Sequence, residues 1–427
     1  MNATLPAGGG EAFDNRQPSL AVTKVMRRSG SRPEAPGAIA GGMLGFVYDF
    51  AGDFAPGGGW TAQGQKLRIW DTENRDLFEL IGATYGGDGD TTFALPNLGG
   101  AAAIGTGWAR SGMGYECGTA IGASTVTLTK DQMPVHDHAL PGGGATEKTR
   151  GWEQPFSNLQ RSLPLRILIN TAGLYPTPGG GGGGGAFLGQ LATFAGNSVP
   201  EDCWTEADGR LLKIAHYQAL FSILGTFYGG DGKETFALPD LRGRAIVGAC
   251  SDHPLGSAFG TEVIRLTTAQ LAAHDHVLPP GGGVTGIAGG GQPMSNCQPS
   301  LALNYLVATR GNYPSRFEDG GYAFDEPTLG EIAAFAGNFA PGDWEFAHGQ
   351  LLKIAENQAL FSIFGTRYGG DGKTTFALPD LRGRVAVGTG RGQGDAVDYR
   401  PGDRFGTEMI TLTVAHLPAH DHGLPRS

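Results

Sequence analysis

Hydrophobic residues along this chain occur in short bursts separated by glycine-rich and polar turns, with no long amphipathic stretch. Leu360, Phe361 and Phe364 stand at i, i+1 and i+4, one face of a helix, which predicts a helix over 357–364. The same pattern predicts helices over 217–224 and 74–81. Each is followed by a glycine (Gly365, Gly225, Gly82), the residue that helix ends favour. The Gly-Gly-Asp-Gly that comes next reads as a tight turn or bulge. Short strands are expected around the Leu-Gly and Phe-Ala-Gly motifs, and at 384–387 and 409–413. No run of about 18 apolar residues exists, so no membrane-spanning helix is expected.

These bursts recur three times. Leu329-Gly330 through Phe335-Ala336-Gly337-Asn338, followed by Trp344, matches Leu188-Gly189 through Phe194-Ala195-Gly196-Asn197 with Trp204. It also matches Leu44-Gly45 through Phe50-Ala51-Gly52-Asp53 with Trp60. Each copy continues with Tyr-Gly-Gly-Asp-Gly from Tyr85, Tyr228 and Tyr368. Thr-Phe-Ala-Leu-Pro follows, ending at Pro96, Pro239 and Pro379, and then His-Asp-His at 136, 274 and 420. A tail follows in two copies, through Phe156-Ser157-Asn158-Leu159-Gln160-Arg161-Ser162-Leu163 and Met294-Ser295-Asn296-Cys297-Gln298-Pro299-Ser300-Leu301. The third copy lacks one, yet Phe13-Asp14-Asn15-Arg16-Gln17-Pro18-Ser19-Leu20 near the N-terminus is that tail.

The repeat boundary is thus permuted relative to the chain ends. The expected organisation is a displaced tail over 1–30, modules over 40–138, 187–276 and 328–427, and tail-and-linker segments over 139–186 and 277–327. Within the first linker, Pro178 to Gly185 holds seven consecutive glycines and reads as pliable. A repeat without its tail leaves apolar surface and backbone hydrogen-bonding groups unpaired. The N-terminal tail is therefore expected to close three repeats into a ring within one chain. Donation to the next molecule's third repeat is the alternative, and it builds a filament.

Composition narrows the function. Glycine makes up 74 of 427 residues, far above the roughly 7% of average proteins, so turns surround compact units. The formal net charge of -10 comes with no basic block, which argues against a nucleic-acid partner. Cys117, Cys203, Cys250 and Cys297 show no CxxC spacing and read as unpaired thiols. The first residues lack the basic and apolar regions of a classical signal peptide. No GxSxG, HExxH, P-loop or suitably placed GxGxxG is present, so no enzyme is expected.

Phe-Ala-Gly-Asn, Gly-Gln-Leu-Leu, Tyr-Gly-Gly-Asp-Gly, Thr-Phe-Ala-Leu-Pro-Asp-Leu-Arg-Gly-Arg and Pro-x-His-Asp-His together resemble the phage tail collar family. That family includes microcystin-dependent proteins and phage tail fibre tips. The resemblance implies a glycine- and loop-rich α+β fold, with three tandem modules in an intramolecular pseudo-threefold ring. It also implies a non-enzymatic attachment or structural role. In short tail fibres, similar domains form a trimeric head whose His-x-His pairs hold a metal on the axis. Copy one departs from the pattern, reading Asn97-Leu98-Gly99-Gly100-Ala101 where the others carry an acid and two arginines.

The chemistry centres on His136, His138, His274, His276, His420 and His422, six of the ten histidines. Residues i and i+2 of an extended segment share a face, so each pair offers two parallel imidazoles. Asp137, Asp275 and Asp421 then point the other way. Six imidazoles around an axis make an octahedral site suited to iron, zinc or nickel, closed to substrate and therefore structural. Arg242, Arg244, Arg382 and Arg384 are candidates for ion pairs between modules or contact with an acidic glycan, the first being favoured. Asp88, Asp231 and Asp371 read as turn residues, because one acid supplies too few oxygens for calcium. Trp60, Trp204 and Trp344 read as core anchors. The expected partners are a bacterial surface glycan or receptor, other tail or fibre proteins, and copies of the chain itself. The expected location is a virion, an extracellular phage-like particle or a filament.

Overall fold

The computed structural model describes residues 3–28, 30, 43–149, 153–177, 186–197, 199, 203–279, 282–315, 327–391 and 397–425. The glycine tract of the first linker, 179–185, lies outside them.

Nine strands carry the frame. The longest are β1 (Ser19–Arg27), β4 (Ser162–Asn170) and β7 (Ser300–Ala308). Each is followed by a five-residue strand: β2 (Phe46–Phe50), β5 (Gln190–Phe194) and β8 (Glu331–Phe335). The short strands β3 (Ala102–Gly105), β6 (Ala245–Gly248) and β9 (Val385–Gly388) complete the set. Each long strand pairs antiparallel with the five-residue strand after it. The other half of each long strand runs parallel to a short one, β4 to β3, β7 to β6 and β1 to β9.

The last of these pairings joins the two ends of the sequence. Ser19 to Val22 register with Val385 to Gly388, so the N-terminal strand occupies the place in copy three that Ser162 and Ser300 begin in the others. Closure is completed twice over. Strands β2, β5 and β8 each pair with the other two, and so do β3, β6 and β9. The ladders close on themselves as a barrel, leaving the long strands buried along their whole length apart from Arg166.

The chain is therefore mostly β, where the resemblance implies α+β. Helix is confined to α1 (Arg75–Ile81), α2 (Gln218–Leu224), α3 (Gln358–Phe364) and 3-10 turns among the described residues. The long strands gave no warning because strands buried on both faces show no alternation. The helices begin within a residue of expectation, and Gly82, Gly225 and Gly365 end them at positive φ. Their N–H groups donate to the carbonyls of Phe78, Phe221 and Phe361. Leu77, Leu220 and Leu360 anchor each helix in the core.

Candidate metal centre

The tail strands cross to a neighbouring copy: Phe13–Asp14 pairs with Thr125–Val126, Phe156–Ser157 with Val263–Ile264, and Met294–Ser295 with Met409–Ile410. Phe13, Phe156 and Met294 pack with Leu128, Leu266, Leu271, Leu412 and Leu417 into one apolar layer. Beyond that layer the chain reaches the histidines. Ala7 pairs with His420 and Ala3 with Gly423, where copies one and two use their own downstream residues, such as Ala288 opposite His274.

A threonine hydroxyl positions the second histidine of each pair. The backbone N–H of His138, His276 and His422 donates to the hydroxyls of Thr146, Thr285 and Thr4, each at 3.0 Å. All six imidazoles are buried, while Asp275 and Asp421 between them are exposed and Asp137 is half-buried. The alternation of an extended segment thus turns every ring the same way.

The Nδ1 partners fix the tautomers. His136, His274 and His420 direct Nδ1 to the carbonyls of Pro134, Ala272 and Pro418, at 2.9–3.0 Å. His138, His276 and His422 direct theirs to the carbonyls of Gly286, Leu5 and Glu147, at 2.8, 2.9 and 3.0 Å. A carbonyl accepts only, so each Nδ1 carries the hydrogen and each neutral Nε2 presents a lone pair. Those lone pairs converge. Nε2 of His274 is 3.0 Å from that of His420 and 3.3 Å from that of His136. Nε2 of His138, His276 and His422 is buried with no hydrogen-bond partner.

Burial, reinforced by the neighbouring imidazoles against an opposing backbone hydrogen bond, pushes His136 and His274 down to about 4 and His420 to about 3. His138 and His422 are lowered for the same reasons. Neutral imidazole is the form that ligates a metal. The ligating nitrogens of His136, His138, His274, His420 and His422 lie within 4.8 Å of one another. Neighbouring ligands of an octahedral ion with bonds of about 2.1 Å stand roughly 3.0 Å apart, so the donor set fits a transition-metal ion. Orphaned acceptors facing one another in a buried space are otherwise costly.

A second ring of equivalent residues lies in the repeated tail. The backbone N–H of Gln17 donates to the side chain of Gln160, that of Gln160 to Gln298, and that of Gln298 back to Gln17, at 3.0–3.1 Å. Its signal in the sequence is the thrice-repeated Asn-x-Gln-x-Ser.

The other candidates separate. Arg242 and Arg244 turn onto Asp240 of their own copy, and Arg382 onto Asp380. The Nε of Arg384 is buried without a partner. The cross-copy pair at Asp240 comes instead from Arg110. Asp88, Asp231 and Asp371 each accept three backbone N–H bonds at the turn. Those bonds hold Asp231 down at about 2. Trp204 and Trp344 are buried, whereas Trp60 is half-buried beneath Arg28. All four cysteines are free.

A family model for the phage tail collar domain matches three stretches, 45–103, 189–246 and 330–386. A 65-residue stretch is 38% identical to the short tail fiber protein gp12 of Enterobacteria phage T4. That match covers 15% of this chain and 12% of the relative, so the chain spans only a small part of that protein. No solved structure gives a significant match.

Proposed function

We propose that this chain, which carries three phage tail collar domains, is a non-enzymatic structural and attachment component of a phage tail fibre or phage-like particle. One observation carries the reading: three collar copies direct six imidazoles with matched tautomers into one buried cluster. His136, His138, His274, His276, His420 and His422 hold a single metal ion there, iron, zinc or nickel. The ion supplies a bond between the ends of three copies arranged about a pseudo-threefold axis. With every position taken by protein, the site leaves none for a reacting water.

In-chain closure is favoured over a filament, because Ala3, Ala7 and Ser19 to Val22 pair with copy three of their own chain. The partners in this reading are a bacterial surface glycan or receptor and other tail proteins.

The test uses the full chain, fluorescently labelled and mixed with a panel of bacterial cells, with negative-stain images of the same preparation. Discrete compact particles retained on the surface of some strains are expected. Long fibres, or no retention on any strain, would overturn the reading.

A further inference from the structure

Copy one has lost the two arginines of its collar motif, yet it sends an arginine to copy two. Gly107–Trp108 pairs with Gly114–Tyr115 as a hairpin, and the turn between them carries Arg110 and Ser111. The turn leans across the junction. Arg110 Nε reaches Asp240 at 3.1 Å, and Ser111 Oγ and Tyr115 OH both donate to Glu262, at 2.8 and 2.7 Å. Beneath it is a cavity of about 420 Å³ lined by Arg110, Ser111, Arg242, Arg244, Phe259 and Glu262 among others.

The walls of this cavity have complementary chemistries. Three guanidinium groups gather on the single carboxylate of Asp240, from Arg110, Arg242 and Arg244, so positive charge is in excess there. Arg110 commits only Nε to that carboxylate and is 74% exposed, leaving the end of its fork free. A guanidinium fork matches carboxylate and phosphate oxygens in pairs. Opposite, Glu262 and Ser111 offer acceptors to hydroxyl groups. Phe259 forms an aromatic face backed by His253, whose ring stacks on it at 3.6 Å. Aromatic faces of this kind pair an apolar body with polar neighbours.

Among the described residues, the other junctions lack the set. The corresponding stretch of copy two, Ala249 to Ser257, contains no arginine, and copy one has Asn97 in place of Asp240. Among the described residues, the set is found at this junction.

We infer that the cavity between the 107–115 hairpin and copy two binds an anionic sugar residue, its carboxylate or phosphate on Arg110, Arg242 and Arg244 and its hydroxyls on Glu262 and Ser111. The inference rests on the attachment reading and gives it a ligand class. The cavity volume falls in the usual range for small-ligand sites, roughly 300–1,000 Å³.

The test titrates the full chain with methyl glucuronide, glucose 1-phosphate and methyl glucoside, followed by ligand-observed NMR and calorimetry. At least one anionic sugar is expected to bind tenfold or more tightly than the neutral one, and to weaken as salt rises. The better of the two identifies the acid group. Arg110→Gln, at an exposed position, is expected to weaken it at least fivefold with unchanged melting temperature, while Arg382→Gln has no effect. Equal binding of neutral and anionic sugars, binding of neither anion, or indifference to Arg110→Gln overturns the inference. Cell-surface retention that survives Arg110→Gln removes this site and leaves the attachment reading standing.

Discussion

At the scale of single residues, the decisive groups are the six Nε2 atoms, and what controls them is the carbonyl on the far side of each ring. The six histidines were legible because His-x-His is an i, i+2 pair in three aligned places. The carbonyls of Pro134, Ala272, Pro418, Gly286, Leu5 and Glu147 were not, since backbone acceptors leave no residue-type signature. His138→Ala removes one donor from the cluster. Elemental analysis is expected to fall from about one metal per chain to less than half, with melting lowered by several degrees. A chelator should bring wild type and variant together, because a site assembled only in the fold stabilises the fold; a gap that survives chelation contradicts the metal. The same residues set a pH response in metal-free protein. Their folded values of about 4, 4 and 3 lie below the roughly 6.5 of an unfolded histidine, so the unfolded chain binds more protons in between. Stability is therefore fully present above about 6.5 and lost as pH falls toward 4. Urea midpoints of the chelated protein should decline across that window, and a flat profile down to pH 5 would contradict the burial of these rings.

At the scale of elements, local signals and tertiary pairings separate cleanly. The helices were legible because Leu360, Phe361 and Phe364 share a face and Gly365 ends the run, all within nine residues. The nine-residue strands were not, because burial on both sides erases the alternation that marks a strand. Nor was the handover of Phe13, Phe156 and Met294 to neighbouring copies, which depends on contacts more than a hundred residues apart. Glycines close the short strands for a reason that only the packed structure reveals. A Cβ on Gly105, Gly248 or Gly388 would lie 2.2, 2.0 or 2.1 Å from the carbonyl oxygen of Leu241, Leu381 or Leu98. Each contact is backbone of another copy, which no rotamer change relieves. Gly248→Ala is expected to cost about 1–3 kcal/mol, the usual range for overpacking, as a lower urea midpoint. Gly142→Ala, with nothing near its Cβ position, should leave the midpoint unchanged. Equal behaviour of the two variants would mean that the junctions between copies are loose.

At the scale of the whole molecule, joining three copies in one chain permits what three identical chains cannot have. Lys24, Ile167 and Tyr305 hold corresponding places on β1, β4 and β7, and Asp49, Thr193 and Ala334 on β2, β5 and β8. Lys24 and Asp49 form a buried pair at 2.6 Å, and Arg27 lies over the Tyr48 ring and 3.8 Å from Glu331. Identical copies would put three like charges there. Asp49→Ala is therefore expected to cost about 3–5 kcal/mol by stranding Lys24, whereas Lys24→Met with Asp49→Leu should be near neutral in the same denaturation. The fused arrangement also depends on the N-terminal strand, whose place in copy three was readable from the displaced tail motif. Ser19 to Val22 supply the parallel partner of β9, Ala7 faces His420, and Leu5 O receives Nδ1–H of His276. Removing residues 1–28 thus takes away the parallel partner of β9, opens the apolar layer at Phe13 and frees one imidazole of the cluster. The truncated chain is expected to lose its metal and its cooperative melting, and a peptide of residues 3–28 added in trans should restore both at one peptide per chain. Truncation that leaves a cooperative, metal-loaded monomer would mean that the N-terminal strand is an accessory to the ring. Restoration that instead drives full-length chains into long fibres would move the same strand from closing one molecule to joining the next.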